Sequence, residues 1–155
     1  MNTKVTPIKN GIVLDHLEPH TALKIVELLN IKEHNDIITI GLNLESKKFG
    51  KKDILKIEGH KFSKKDFEII ALLSKNATIS VIENGIVFSK NTIPLPEVIQ
   101  NVCVCPNKKC ITNFEHIKTC FTIEQKSHLQ ITCFFCERTF SLKGITFVRN
   151  KLVAK

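Results

Sequence analysis

The chain has 155 residues, of which 43% are hydrophobic, and a formal net charge of +8 at neutral pH. This length suits one domain or two small ones. No apolar run approaches the roughly 18 residues that a membrane helix needs, and the N-terminus lacks the apolar core of a signal peptide. We therefore expect a cytoplasmic protein with no membrane partner, whose six cysteines are metal ligands or buried thiols rather than disulfides.

The first part of the chain alternates strand-like and helical patterns. Residues 11–16 predict a short buried strand, and apolar residues at helical spacing predict a helix over 20–30 with Thr21 as its N-cap. Two β-branched, alternating segments predict strands over 36–44 and 52–59.

The same rhythm continues to residue 90. Residues 63–74 predict a second helix, which opens on a capping-box pattern formed by Ser63 and Asp66. Residues 77–90 predict a hairpin, because two strand-like runs flank an Asn-Gly turn. The order β-α-β-β-α-β-β predicts an α+β, ferredoxin-like domain with one extra strand. Its antiparallel sheet would carry both helices on one face and offer the other face to solvent, a ligand or a partner.

A change in composition marks a second domain. Pro94 and Pro96 disfavour continuation of either neighbouring element, so we expect domains over residues 1–96 and 97–155. Short strand-like runs follow, over residues 101–105, 118–124, 128–135 and 144–149. A small all-β domain of the zinc-ribbon or rubredoxin-like kind is predicted, and a structural metal would supply stability that so small a core lacks.

Four cysteines form two close pairs in this second part. Four residues separate Cys105 from Cys110, and two separate Cys133 from Cys136. Zinc takes four soft ligands in a tetrahedron, so this spacing predicts one Zn²⁺ bound by these four thiolates. Four sulfur ligands close the coordination sphere and indicate a structural metal. Cys103 and Cys120 lie in apolar runs and are expected to be core thiols.

Two hypotheses about function can be weighed at this point: a zinc-ribbon protein that binds nucleic acid, and an enzyme with a ferredoxin-like core. Residues 101–155 contain nine Lys plus Arg against three Glu, which favours nucleic acid. Four thiolates around Zn²⁺ reduce that charge, however, and no aromatic residues interleave with the basic ones to form a stacking surface. No P-loop, nucleophile elbow, dinucleotide fingerprint or deaminase element supports an enzyme.

Six stretches, taken in order, resemble one known family over essentially the full chain. They are GIVLDH, ITIGLNL, GKKDILKIE, LPEVIQNV, VCPNKKCI and CFFCERTF. The chain is similar to the regulatory chains of aspartate carbamoyltransferase. The resemblance implies a non-catalytic subunit of pyrimidine biosynthesis that forms a homodimer through its N-terminal domain. It also implies that the zinc domain docks on a separate catalytic chain, that CTP inhibits this enzyme and that ATP often activates it. Nucleic acid is not expected as a partner.

The resemblance also implies which residues bind the nucleotide. They are Ile8, Asp15, His16, Lys56, Ile82, Val87 and Lys90. In the family pattern Lys56 meets sugar and base, Lys90 meets the phosphates, and backbone around Ile8 and over 82–87 faces the base. Asn43 and Lys52 match positions near the nucleotide. Each lysine viewed alone would be read as a solvated surface charge.

Four further positions bear on regulation. Gly85 stands where the family can have an aromatic residue beside the base, and Thr92 replaces an arginine near the phosphates. Lys109 lies where an asparagine can touch the catalytic chain. Arg138, just after the last cysteine pair, is either a contact to the catalytic chain or a solvated loop charge. The resemblance therefore leaves effector preference and strength of regulation open.

Overall fold

A computed structural model of the chain describes residues 7–33 and 35–148. The chain divides into two compact units between Pro94 and Leu95. Each unit has its own antiparallel sheet, one of five strands and one of four. No helix among the described residues is long and apolar enough to cross a membrane.

The N-terminal unit is the predicted ferredoxin-like arrangement with one added strand. Its elements in chain order are β1 (Gly11–Leu17), α1 (Ala22–Leu28), β2 (Ile38–Ser46), β3 (Gly50–Glu58), α2 (Lys64–Leu73), β4 (Thr78–Glu83) and β5 (Ile86–Thr92). The sheet order is β2-β3-β1-β4-β5, and every neighbouring pair is antiparallel. Both helices contact each other, which places them on one side of the sheet and confirms the predicted fold class.

Alternation along the strands creates one covered and one open face of this sheet. On β3, Leu55 and Ile57 are fully buried, whereas Ile54 and Lys56, which alternate with them, are half-buried. Successive side chains of a strand point to opposite faces, so the buried set packs toward the helices. The half-buried set belongs to the open face, which positions the candidate site described below.

The helix ends show one capping prediction confirmed and one changed. Ser63 and Asp66 form the predicted capping box, with the Ser63 amide donating to Asp66 Oδ2 at 2.7 Å and the Asp66 amide donating to Ser63 Oγ at 3.3 Å. Thr21 occupies the N-cap position of α1, but its side chain caps no amide of the helix. Its hydroxyl instead donates back to the Glu18 carbonyl. The start of α1 therefore depends on another acceptor.

The predicted hairpin also forms. Asn84 and Gly85 connect β4 to β5 with φ values of 52° and 77°. Two residues with positive φ are what a two-residue type I′ turn requires, and Asn-Gly adopts this conformation at little cost. The hairpin brings β5 to the outer edge of the sheet.

The C-terminal unit agrees with the prediction in class and only partly in strand positions. Its strands are β6 (Val98–Gln100), β7 (Cys120–Gln125), β8 (Leu129–Cys133) and β9 (Thr139–Ser141), in the order β6-β7-β8-β9. Strands β7 and β8 agree with the strands predicted over 118–124 and 128–135. Strands were also expected over 101–105 and 144–149, and this expectation is wrong over the described residues 101–105 and 144–148; residue 149 lies outside the described part.

The two segments that are not strands still lie beside each other. A single isolated bridge joins Cys103 to Phe147. The Val104 amide donates to the Thr146 carbonyl at 2.8 Å, just beside that bridge. Asn101 has a φ of 54°, so the chain turns away from the ladder directly after β6. The apolar residues of these two segments are therefore explained by burial in the core and not by a continuous strand.

Candidate functional site

Four cysteine sulfur atoms form one cluster in the C-terminal unit. The ligand atoms of Cys105, Cys110, Cys133 and Cys136 all lie within 4.8 Å of one another. Cys105 Sγ lies 3.8 Å from Cys136 Sγ, and Cys110 Sγ lies 3.8 Å from Cys133 Sγ. A tetrahedron with zinc–sulfur bonds of about 2.3 Å has edges of about 3.8 Å, whereas a disulfide bond is only about 2.05 Å long. The geometry therefore fits a tetrahedral metal.

Local hydrogen bonds hold both ligand loops. In the first loop, the Asn113 side-chain amide donates to the carbonyls of Cys105 and Asn107, at 3.0 and 2.8 Å. The Thr112 hydroxyl donates to Cys110 Sγ at 3.2 Å. In the second loop, the Cys133 amide donates to the carbonyl of residue 138 at 2.9 Å. Such contacts help to orient the sulfur atoms toward one another.

The thiol environments separate the ligands from the other cysteines. Burial raises the pKa of Cys105 and Cys133, so a cation is needed to hold them as thiolates. Burial opposes ionisation of Cys136 too, but hydrogen bonds from backbone and side chain lower its pKa to about 7. Burial raises the pKa of Cys103 to about 12, which describes a neutral core thiol. Cys120 is half-buried in β7 and lies outside the cluster.

A row of paired residues crosses the open face of the N-terminal sheet. Lys56 on β3 lies opposite Val13 on β1, Val13 lies opposite Ser80 on β4, and Ser80 lies opposite Lys90 on β5. Neighbouring strands are about 4.8 Å apart, so roughly 14 Å separates the backbones of the two lysines. A molecule lying along this row would meet one lysine near each end.

An acidic group lies beside this row. Asp15 Oδ1 is 2.8 Å from Lys52 Nζ and accepts the His16 amide at 2.6 Å. Burial would raise the pKa of Asp15, but these hydrogen bonds and the neighbouring positive charges lower it below its ordinary value. Burial lowers the pKa of Lys56, and the charge of Asp15 acts in the opposite direction. His16 Nδ1 lies 3.0 Å from Thr78 Oγ1, which fixes the imidazole ring.

Two apolar candidates, Ile82 and Val87, lie toward the other end of the same face. Ile82 pairs with Gly11 on β1 and with Val87 on β5. It lies two residues along β4 from Ser80, which belongs to the lysine row. Ile8 and Ile82 are buried, whereas Val87 is exposed. The structure thus brings the polar group around Asp15, the two lysines, Ile82 and Val87 onto one sheet face, whereas Ile8 precedes β1.

Two left-handed residues shape the polar end. His16 has a φ of 56° at a bulge between Leu14 and Leu17 of β1. Asn43 has a φ of 57° at a bulge of β2. Bulges redirect side chains and recur beside binding sites. The alternating pattern of the sequence gives no sign of either bulge.

Asp53 is a residue that the sequence analysis missed. It is fully buried and accepts the Asn43 amide on Oδ1 at 2.8 Å and the Ala22 amide on Oδ2 at 3.2 Å. The sequence does contain a sign of this role, because residue 53 lies on the same face of the strand as Leu55 and Ile57. That alternation places an acidic side chain on the helix-covered face of the sheet.

The remaining positions lie in exposed parts of the two units. Gly85 has open space where a Cβ would point, but its φ of 77° strains any side chain placed there. Thr92 pairs with Thr78 at the end of β5. Lys109 and Arg138 are exposed at the first and second cysteine loops. Their contact with a catalytic chain stays a prediction.

These features define a protein of two compact units, one of which carries four cysteines arranged to hold a metal ion. Residues 3–94 match the family model described as aspartate carbamoyltransferase regulatory chain, allosteric domain. Residues 97–146 match the model of the metal binding domain of the same regulatory chain. The chain belongs to the family of aspartate carbamoyltransferase regulatory chains, which are regulatory rather than catalytic.

Archaeal relatives carry the same family name. The regulatory chain of Methanococcus vannielii is 50% identical over 135 residues, covering 87% of this chain and 90% of the relative. That of Methanocaldococcus jannaschii is 42% identical with the same coverage of both chains. That of Pyrococcus horikoshii is 38% identical over 144 residues, covering 92% of this chain and 95% of the relative. The similarity therefore spans both units.

Proposed function

We propose that this chain binds CTP or ATP through residues 1–96 and transmits allosteric control of pyrimidine biosynthesis to a separate aspartate carbamoyltransferase catalytic chain. Residues 97–155 hold one structural zinc ion and contact that catalytic chain. The observation that carries the proposal is the row from Lys56 to Lys90 on the open face of a domain that matches an allosteric domain. Two distinct sites coupled through one assembly are what allosteric control requires.

The chemistry of the row suits a nucleoside triphosphate. Lys90 is exposed on the outer strand β5, where a compact positive charge meets phosphates without displacing the core. Lys56 is half-buried near Asp15, a setting suited to the hydroxyl and amino groups of sugar and base. Backbone near Ile8 and over 82–87 supplies hydrogen-bonding groups for the base, and Asn43 and Lys52 border the site.

Zinc is the metal that the ligand set favours. Four thiolates with sulfur separations of 3.8 Å suit a tetrahedral soft cation and leave no position for a reacting water. The metal would hold the two loops together and thereby form a rigid surface. All described cysteines are free, which is typical of a reducing compartment such as the cytoplasm.

Exposed apolar side chains support protein partners at both units. Phe114 and Phe134, in or next to the two ligand loops, are 74% and 69% exposed. Exposed aromatic residues are enriched at protein interfaces, so these two residues support docking on the catalytic chain. Arg138 follows the second ligand pair and is proposed as a polar contact there. The outer strands β2 and β5 end the N-terminal sheet, so each offers an edge through which two copies could form the proposed homodimer.

Calorimetric titration with cytidine and CTP tests the nucleotide site. We expect Lys90→Ala to weaken CTP by roughly tenfold to a hundredfold and cytidine little, because one charge-assisted contact contributes about 1.5–3 kcal/mol. Lys56→Ala should weaken both ligands alike. Lys75→Ala, which removes an exposed lysine outside the sheet, is the matched control and should change neither.

Two outcomes would count against this assignment. If Lys90→Ala weakens cytidine as much as CTP, Lys90 does not serve the phosphates. If neither Lys56→Ala nor Lys90→Ala alters binding while the unmodified chain binds CTP, the nucleotide binds elsewhere. Binding of RNA or DNA in place of CTP would favour the nucleic-acid hypothesis instead.

A further inference from the structure

Asp53 lies where bulges on two neighbouring strands meet the same point of β3. In the pairing of β1 with β3, the register shifts between Leu14 and Leu17, and Leu17 then lies opposite Asp53. In the pairing of β2 with β3, the shift falls between Gly41 and Leu44, which pair with the residues on either side of Asp53. Both strands that flank β3 are therefore irregular at this one position.

The bulge on β2 leaves a backbone amide that the sheet does not satisfy. The pairs on either side of the bulge skip Asn43, whose φ is 57°. The Asn43 amide donates instead to Asp53 Oδ1 at 2.8 Å. A non-glycine residue in the left-handed region persists when its surroundings hold it, and this carboxyl group is such a restraint.

The second oxygen of the same carboxyl group serves the helix. The Ala22 amide, the first of α1, donates to Asp53 Oδ2 at 3.2 Å. The first amides of a helix have no partner within it, and Thr21 provides no side-chain cap. A fully buried side chain of β3 therefore caps α1 and restrains β2 at the same time.

This restraint lies directly behind the polar end of the candidate site. Lys52 precedes Asp53, so the two side chains point to opposite faces of β3. On the open face Lys52 reaches Asp15, whose other neighbour is the left-handed His16. Any shift of β3 at residue 53 would move Lys52 and the bulge at Asn43 together.

We propose that Asp53 is a positioning residue of the nucleotide site, which fixes Lys52 and the Asn43 bulge without touching the nucleotide. This inference rests on the proposed function. It predicts that a change on the helix-covered face alters nucleotide affinity, while changes of equal thermodynamic cost elsewhere on that face do not.

Calorimetric titration of the full chain with CTP, well below the melting temperature, tests the inference. Asp53→Asn keeps the shape but replaces one acceptor oxygen by a donor, so one of the two amides loses its partner. We expect CTP affinity to fall by about tenfold. The control is Ile70→Val, which trims a fully buried residue of α2. Compared at equal distance below their melting temperatures, this control should stay within about twofold of the unmodified chain.

A double-mutant cycle with Lys52→Ala separates positioning from general stability. If Asp53 acts through Lys52, Asp53→Asn and Lys52→Ala should be non-additive in CTP affinity, whereas Ile70→Val and Lys52→Ala should be additive. Should Asp53→Asn fail to fold, Asp53→Glu provides the same test, because it keeps both oxygens and displaces them by one methylene.

The outcomes distinguish this inference from the function on which it rests. Unchanged CTP affinity in a folded Asp53 variant, or an additive cycle with Lys52→Ala, overturns the positioning role and leaves the nucleotide site standing. Loss of affinity in Ile70→Val equal to that in Asp53→Asn also overturns it. Failure of the unmodified chain to bind CTP overturns the proposed site and the inference together.

Discussion

In the N-terminal unit two helices cover a five-stranded sheet, whereas the C-terminal unit is built around a four-stranded sheet. The first core consists of aliphatic side chains such as Leu14, Ile25, Leu55 and Ile70, all fully buried. In the second, the buried residues include three of the four clustered cysteines together with Phe121 and Phe147. Apolar packing can account for the first fold, and we expect the second to depend on a bound metal as well.

This difference also separates two roles. A packed sandwich can leave one sheet face open for a ligand without losing its core, and that is where the lysine row lies. A metal-held unit offers rigid loops with exposed side chains, which suits contact with another protein. The following three predictions test whether the two units are as different as this comparison implies.

Metal removal should have the largest effect and should be confined to one unit. Binding of a structural zinc contributes on the order of 10 kcal/mol to the folding of small sites with this ligand set. We therefore expect a mercurial or a strong chelator to unfold residues 97–148 and to leave the N-terminal unit folded. Amide hydrogen exchange, read separately for the two units, measures this. Retained protection of β7 and β8 in metal-free protein would contradict the comparison.

A cavity in the N-terminal core should have the next largest effect. Leu55→Ala removes a fully buried side chain between sheet and helices, and we expect it to lower the free energy of unfolding by about 2–5 kcal/mol. Metal content should not change. The matched control is Ile131→Ala, at a fully buried position of β8, which should destabilise only the C-terminal unit. Loss of metal in Leu55→Ala would show that the two units do not fold independently.

The ion pair at the polar end of the candidate site should have the smallest effect. The folded-state pKa of Asp15 is lowered from its ordinary 3.8, so its contribution to stability is present above that pH and is lost as pH falls through the folded pKa. Lys52→Ala should cost at most about 1 kcal/mol near neutral pH, because the pair is partly exposed.

Denaturant unfolding of the unmodified chain and Lys52→Ala, from neutral pH into acid, measures that cost. The difference between the two should shrink as Asp15 becomes protonated. Lys75→Ala provides a baseline without such an ion pair among the described contacts. A difference that grows in acid would have the wrong sign for a carboxyl group with a lowered pKa.

The sequence predicted the N-terminal fold well because each element there carries its own local pattern. The capping box at Ser63 and the Asn-Gly turn are short-range signals, and both form as expected. In the C-terminal unit β6 and β9 have three residues each, too few to show a period. Most apolar residues at 101–105, and Phe147, are buried without forming a β-ladder. The apolar pattern alone therefore predicted strands that do not form.

The candidate sites divide in the same way. Spacing alone predicted the cysteine cluster, because ligand pairs in tight loops are local features. The nucleotide residues came from family resemblance, since Lys56 and Lys90 come to lie in one row across the sheet only through strand register. The bulges at His16 and Asn43 and the buried carboxyl group of Asp53 depend on contacts between distant strands, which periodicity does not encode.

We expect this chain to confer nucleotide control on a catalytic chain without performing the chemistry itself. The most direct measurement is carbamoyl aspartate formation by the isolated catalytic chain of the same organism, with and without this chain, over a range of CTP and ATP. We expect no activity from this chain alone and a nucleotide response only in the complex. Lys90→Ala should shift the CTP response to roughly tenfold to a hundredfold higher concentrations, while assembly and turnover without effector stay unchanged. Activity of this chain by itself, or an unshifted response with Lys90→Ala, would contradict the account.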